Sequence, residues 1–309
     1  MSGNPGPPDG TVFRNTDLPA LFHHTDAVAI RRQREAVGST RRQLLLLVVG
    51  AAAAALPGWQ PVDGLQLAGA LSALAYAGVL VIGARASRSG AKSHWQLNRS
   101  AAEYIKSMCW RYSVHGTPFD PAADDPDELF VHRLEEGLRE LTKVGWQDPR
   151  TSVPEVASGE LITPAMRRLR GLPFGPRKET YIRDRLIEQR NWYHRSAETS
   201  RRATRVWSAT IGLLTLLALA LSLLHTFSVA DSLDPVGALS AAAAACLAWS
   251  EIRRRRPLIA AHSLVEEDLA AMHSAMETSV TEGQWPSAVY ETERIVSPQH
   301  TDWLVRHRS

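Results

Sequence analysis

VWSATIGLLTLLALALSLLHTFSVA, residues Val206–Ala230, contains no Asp, Glu, Lys or Arg and is rich in leucine. As an α-helix it covers the ~30 Å of bilayer hydrocarbon, so it reads as a membrane span. A second block, LQLAGALSALAYAGVLVIGA (Leu65–Ala84), meets the same requirement. Two further blocks, LLLLVVGAAAAAL (Leu44–Leu56) and PVGALSAAAAACLAW (Pro235–Trp249), are alanine-rich. Alanine contributes little to insertion, so each of these, taken alone, also reads as a buried core helix. Their neighbours favour spans. PGWQPVDG joins the first block to the second, and a short stretch ending in SLDP joins the third to the fourth. Connections so short and turn-rich cannot recross a bilayer, which makes each pair an antiparallel hairpin.

Working outward, basic residues flank all four blocks. Arg31, Arg32, Arg34, Arg41 and Arg42 precede the first, and Arg85, Arg88, Lys92 and Arg99 follow the second. Arg195, Arg201, Arg202 and Arg205 precede the third, and Arg253, Arg254, Arg255 and Arg256 follow the fourth. The hairpin tips hold no Lys or Arg, only Asp63, Asp231 and Asp234. Because Lys and Arg are retained on the cytoplasmic side, both termini and the central segment are expected in the cytosol. The expectation is an all-α membrane protein with two antiparallel transmembrane helical hairpins, four spans in all, continued by long cytosolic helices. It places the chain in a membrane as a multi-pass protein.

Composition narrows the alternatives. The 309 residues carry 35 Lys+Arg against 32 Asp+Glu, a net charge of +3, too balanced for a dedicated nucleic-acid binder. Gly (20) and Pro (18) are too few for a fibrous or wholly disordered chain. The two cysteines, Cys109 and Cys246, form no CxxC site; one is expected in the cytosol and the other in the bilayer, so they cannot pair. The opening MSGNPGPPDG lacks signal-peptide character and, with the residues up to 24, is expected to be a disordered tail.

The polar segments read as helices. Asp26–Gln43, capped by Thr25 or Asp26, runs into the first span. His94–Val114 carries an apolar stripe at Ala101, Ile105, Met108 and Tyr112, and Glu128–Val144 is a short amphipathic helix. Residues 147–178, rich in Pro, Gly and Ser, read as a linker between a first two-transmembrane domain (25–146) and a second (179–305). Thr180–Arg205 is a helix entering the third span. Beyond the arginines, Leu258, Val265 and Met272 recur every seven residues, interleaved with His262, Leu269 and Met276. That seam predicts side-by-side packing of the helices below the second hairpin.

No signature of enzymatic chemistry stands out. Asp124, Asp125, Asp127 and Glu128 lack the calcium-loop pattern and read as a solvated helix start. The eleven histidines form no metal-ligand pair, and no phosphate loop, nucleophile elbow or dinucleotide fingerprint occurs. No catalytic residue, cofactor or metal is therefore expected. Arg41, Arg42 and Arg253 to Arg256 form juxtamembrane basic clusters that read as stop-transfer signals in contact with lipid headgroups. Ser208, Thr215 and Ser222 repeat every seven residues on the third span, either lining a water-filled path or, the preferred reading, serving as interhelical glue or bonding only their own backbone. Gly69, Ala73 and Ala77, with Ala51–Ala55 and Ala241–Ala245, permit close helix approach within a hairpin or between subunits. No ionisable group lies mid-membrane, which counts against a transporter. Tyr104, Trp110 and Tyr112, then Tyr181, Trp192 and Tyr193, read as aromatic packing between helical stems.

AAEYIKSMCWRYSVHGTPF (101–119), following a basic helix and a hairpin, resembles one subtype of the bacterial SLATT families, the SMODS- and SLOG-associating two-transmembrane effector domains. YIRDRLIEQRNWYHRSAETSRRATRVW (181–207), with SLVEEDLAAM and TEGQWPSAVYETERIVSPQHTDWL after the second hairpin, resembles another subtype. The likeness implies a tandem of two such domains. It makes Tyr104, Trp110, Arg111, Tyr112, Tyr181, Arg185, Gln189, Trp192, Tyr193, Trp285, Glu293 and Trp303 the characteristic residues, structural in role. It also implies a non-enzymatic effector in a nucleotide-dependent conflict system, opening a pore or disturbing the bilayer when triggered. The expected partners are the lipid bilayer, further copies of the chain, and a separate nucleotide-signalling or sensor protein, since no sensor domain is recognisable here. The alternative is a membrane scaffold that recruits cytosolic partners through its stems.

Overall fold

The computed structural model describes residues 12–56, 67–226, 235–253 and 255–296. It is all-α, 83% helical, with no strand among the described residues. The main helices are α1 (Ala20–Ala54), α2 (Leu67–Ser89), α3 (Ala91–Ser113) and α4 (Pro126–Lys143). Three short ones follow, α5 (Pro154–Ala157), α6 (Pro164–Arg170) and α7 (Phe174–Tyr181). A π-helical turn, Ile182–Ile187, leads into α8 (Glu188–Thr226); then come α9 (Val236–Ile252), α10 (Arg255–Thr278) and α11 (Trp285–Val296). Between α2 and α3 only Gly90 breaks the helix, at φ 55°, a backbone setting that glycine adopts without penalty. The expected tips between the hairpin helices, Arg254 and Trp303 lie outside the described residues.

The chain forms two compact units. The apolar unit gathers Gln33–Lys92 and Ser196–Ala261. Within it α1 and α2 run antiparallel. Ser72, buried, donates its hydroxyl to the Gly50 carbonyl at 2.9 Å. A Cβ on Gly50 would lie 3.0 Å from the Tyr76 ring, and one on Gly78 would lie 2.9 Å from Leu46, so both glycines exist to let these side chains in. Ser72 and Ala75 form the buried face of α2, whereas Gly69, Ala73 and Ala77 are exposed. Two continuous helical stretches are long and apolar enough to cross a membrane, Leu67–Ser113 and Phe174–Leu224. Only 11% and 0% of their most apolar windows are buried, unlike the core helix of a soluble protein. This is two such stretches where four spans were expected. The apolar part of α1 is short, alanine-rich and joined to an arginine-bearing segment, and α9 has only 17 residues, below the ~20 that cross hydrocarbon unaided.

The other unit gathers the chain up to Arg32, Ser93–Arg195 and the chain from His262. Its core is built on α3, whose stripe Ala101, Ile105, Met108 and Tyr112 is fully buried. The amphipathic α4 lays Phe130, Leu134, Leu138 and Leu141 into the same core. Asp125 caps it, accepting from the amides of Asp127 and Glu128, with Pro126 in the first turn. The acidic loop is thus a helix start. From α10, Leu269 and Met276 are buried, while Val265 and Met272 pack partly buried against the core.

Two expectations are corrected here. Residues 12–24, expected within a disordered tail, are anchored: Phe13, Leu18, Leu21 and Phe22 are buried, and α1 begins at Ala20 rather than Asp26. Polar neighbours masked these anchors in the sequence. Residues 147–178, expected as a linker, are folded into the core through Val156, Ile162, Met166 and Leu169. Pro149, Pro154 and Pro164 sit at the first turns of short helices, where the missing N–H costs nothing, rather than breaking structure.

Candidate functional site

At the centre of the polar unit, the π-helical turn carries Arg185 inward. A π turn interrupts the regular helix and recurs at functional sites. Arg185 and Glu293 of α11 form a fork-to-fork pair, Nε to Oε1 at 2.9 Å and Nη2 to Oε2 at 2.7 Å. Their side chains are 1% and 2% exposed, so the pair has left water entirely. Burial pulls the guanidinium pKa down, but the facing Glu293 carboxylate outweighs it and leaves it above its ordinary value. The Tyr181 hydroxyl donates to Glu293 Oε1 at 3.0 Å; burial, then the carboxylate's charge, push that phenol well above its usual range. Arg185 Nη1 is buried without a partner.

A train of edge-to-face rings surrounds the pair. Phe13 meets Trp110 at 4.8 Å, Trp110 meets Tyr181 at 5.7 Å, and Tyr181 meets Trp285 at 5.6 Å. Such ring pairs add to the burial of their area. Trp285 spends its indole N–H on the Val114 carbonyl at 2.7 Å. Arg111 bonds the Thr117 carbonyl and lies 4.8 Å from the Tyr290 ring. A separate cluster holds Tyr112 against Phe119 and Phe130, with its hydroxyl on Asp127 and the Arg170 guanidinium 4.9 Å from its ring. Tyr104 bonds the Arg133 carbonyl over Gly137, where an added Cβ would lie 2.3 Å from the ring.

A cavity of about 300 Å³ opens in the same unit. Gln189, Trp192 and Tyr193 of α8 line it, together with Lys106 of α3 and His262 of α10. Burial and the Arg185 charge lower the Lys106 ammonium from 10.5 to about 8, against the pull of Glu103, Glu188 and Glu293.

Of the residues singled out by resemblance, Trp110, Tyr181, Arg185, Trp285 and Glu293 converge on the ion pair. Tyr112 sits in its own cluster; Gln189, Trp192 and Tyr193 line the cavity. Ser208, Thr215 and Ser222 are exposed on α8, and Thr215 returns its hydroxyl to the Ile211 carbonyl of its own helix at 2.8 Å. Of the basic clusters, Arg42 bonds the Gly38 carbonyl and Arg253 lies 5.0 Å from the Trp249 ring. Cys109 is buried and unpaired, its thiol pKa raised by burial. No cluster of metal-ligating side chains occurs among the described residues. Sequence reasoning missed Lys106, Phe13 and Asp184, whose carboxylate accepts from the Phe13 amide at 2.9 Å. No residue pattern announced them, because a lysine inside an amphipathic helix ordinarily points to water.

A helical polar body, together with long apolar helices left unburied, defines an all-α protein of membrane-associated type. Residues 19–178 match the SMODS and SLOG-associating 2TM effector domain 3 family, and residues 181–303 match the SMODS and SLOG-associating 2TM effector domain 1 family. The first match spans more than half of the chain, which belongs to this SLATT family as a tandem of two domains. Its domains are effectors of conflict systems, associated with SMODS and SLOG nucleotide-signalling components. No curated protein matches the chain, and no solved structure does.

Proposed function

We propose that the chain is a non-enzymatic inner-membrane effector that opens a pore or disturbs the bilayer once it is oligomerised or triggered. The observation that carries this reading is the exposure of the leucines of α8, among them Leu213, Leu216, Leu219 and Leu223. Exposed apolar surface on that scale requires lipid or protein cover. In this reading α1 and α9 complete the hairpins as third and fourth spans, with both termini in the cytosol. The α1–α2 register through Ser72 and Gly50 supports the first hairpin. The basic flanks support the orientation. The two domains divide after residue 178, where the first family match ends and the second begins at 181. A separate nucleotide-signalling or sensor protein delivers the trigger, and nucleic acid is not a partner.

The membrane helices lack ionisable groups at mid-depth, so a conducting path needs several copies. Purified chain in liposomes should release an entrapped dye when oligomerised or mixed with a SMODS- or SLOG-type signalling protein. Liposomes that stay tight in every oligomeric state would refute the pore. Reporter fusions at both ends should report the cytosol; a periplasmic signal from either would refute the topology. The scaffold reading differs in one respect. Replacing Ser208, Thr215 and Ser222 together by Ala would leave its function intact, and the Thr215 bond to its own helix favours that outcome.

A further inference from the structure

The apolar unit leaves a group of cations without carboxylate partners. In the polar unit arginines commonly face carboxylates, Arg99 with Asp26 and Glu103, Arg150 with Asp148 and Glu135, Arg167 with Asp127. That unit by itself is net negative, so the overall charge of +3 comes from the apolar unit. At the basic end of the first hairpin the side chains of Arg41, Arg85, Arg88 and Lys92 are exposed, and none makes an ion pair or hydrogen bond among the described residues. Arg42, also exposed, bonds only the Gly38 carbonyl of its own helix, at 3.2 Å. The sequence explains why carboxylates are missing: between Glu35 and Glu103 the one acidic residue is Asp63, in the connection from α1 to α2. Packing then gathers the cations. Ser72 lies against Gly50, Gly78 faces Leu46, and a Cβ on Gly83 would lie 3.2 Å from the Gln43 amide nitrogen. Carried on by two residues, that antiparallel register sets Arg41 and Arg42 level with Arg85, where both helices leave their apolar blocks. Arg88 and Lys92 follow a turn apart, within about 10 Å along the helix axis.

We propose that this end of the first hairpin is a binding surface for anionic phospholipid headgroups, which it selects over zwitterionic ones. The proposal deepens the membrane reading given above and rests on it. Position argues for lipid as the occupant: the cations stand just beyond uncharged helices that themselves require lipid cover, so the layer that meets them is the headgroup layer. Chemistry argues for the anionic class. Guanidinium forks match the oxygens of a phosphodiester. A zwitterionic headgroup brings its own ammonium, which cancels the attraction, whereas phosphatidylglycerol brings none. An orientation signal needs only positive charge on one side of the membrane. Selection also needs side chains free to reach the phosphates, and these five are exposed with no carboxylate holding them.

Electron spin resonance of the full chain in phosphatidylcholine vesicles, with spin-labelled phosphatidylglycerol and spin-labelled phosphatidylcholine as separate probes, tests it. The protein-bound fraction should favour phosphatidylglycerol by at least about threefold in relative association constant. That is less than one fully effective cation supplies, because only lipids beside the first hairpin feel the surface. Salt at about 1 M, which shortens the Debye length to about 3 Å, should bring the ratio close to unity. Arg41→Gln/Arg42→Gln/Arg85→Gln/Arg88→Gln/Lys92→Gln should do the same, while Arg133→Gln/Arg139→Gln/Lys143→Gln on the exposed face of α4 should leave the ratio unchanged. The salt series uses the wild-type chain, so it decides if the hairpin variant folds poorly. Equal association constants for the two lipids would overturn the proposal, and so would a preference untouched by salt or one lost equally in the α4 variant. A chain that fails to float with the vesicles would overturn the membrane reading and this proposal together; one that floats without preference overturns this proposal alone.

Discussion

Arg185 and Glu293 show how much a buried charge depends on its partner. Removing either one leaves the other in a water-free core, a loss of about 3–5 kcal/mol, whereas replacing both by apolar side chains costs far less. Arg185→Met and Glu293→Gln are each expected to lower the denaturant midpoint of the chain strongly, and Arg185→Met/Glu293→Leu to recover most of it. Additive losses in the double variant would show that the two do not act as a pair. Lys106 gives a pH-dependent counterpart. Folding lowers it from 10.5 to about 8, so between those values the unfolded chain binds the extra proton and stability rises with pH. Below pH 8 the full burial penalty is present. Wild-type stability measured against Lys106→Met should therefore gain ~3 kcal/mol on going from pH 8 to 10.5. Parallel pH profiles would contradict a lysine held in this environment. Sequence resemblance pointed to Arg185 and Glu293, but Lys106 emerged only from its tertiary burial.

Among the elements, α3 and α4 were legible because their apolar residues recur at helical spacing and their buried faces follow from that period alone. The contact between them was not. Tyr104 lies over Gly137, where an added Cβ would come within 2.3 Å of the ring. Gly137→Ala is expected to destabilise by about 1–3 kcal/mol, because the clash outweighs the better helix propensity of alanine. Thermal unfolding would show it as a lowered midpoint, and a raised midpoint would contradict the packing. The segments α5 to α7 were hidden in the sequence because proline and glycine signal loops. Only the structure reveals that Pro149, Pro154 and Pro164 begin short helices. The apolar blocks of α2 and α8 were plain, since runs of uncharged leucine have few alternatives to lipid. The blocks in α1 and α9 were not, since alanine suits both lipid and core.

At the scale of the whole molecule, the two tandem domains share one polar core. Trp285 of the second donates to Val114 of the first at 2.7 Å, and the Thr117 amide bonds the Pro286 carbonyl at 3.0 Å. A Cβ on Gly116 would lie 2.6 Å from Val289, so the contact is close as well as hydrogen-bonded. A fragment ending at residue 178 loses Tyr181, Trp285 and Val289 from that core. It is expected to unfold without cooperativity and to bind a hydrophobic dye, as measured by circular dichroism and fluorescence; a sharp transition at the full-length midpoint would contradict the shared core. The sequence alone determined the all-α class, the strongest apolar spans and the tandem family resemblance, because hydropathy, helical period and motif order are local along the chain. The tertiary structure alone decided that the halves merge, that the stretch at 147–178 is core, and that Lys106, Trp192 and His262 enclose a cavity. Those outcomes rest on burial and on contacts between residues far apart in the chain, which spacing along a single sequence does not encode.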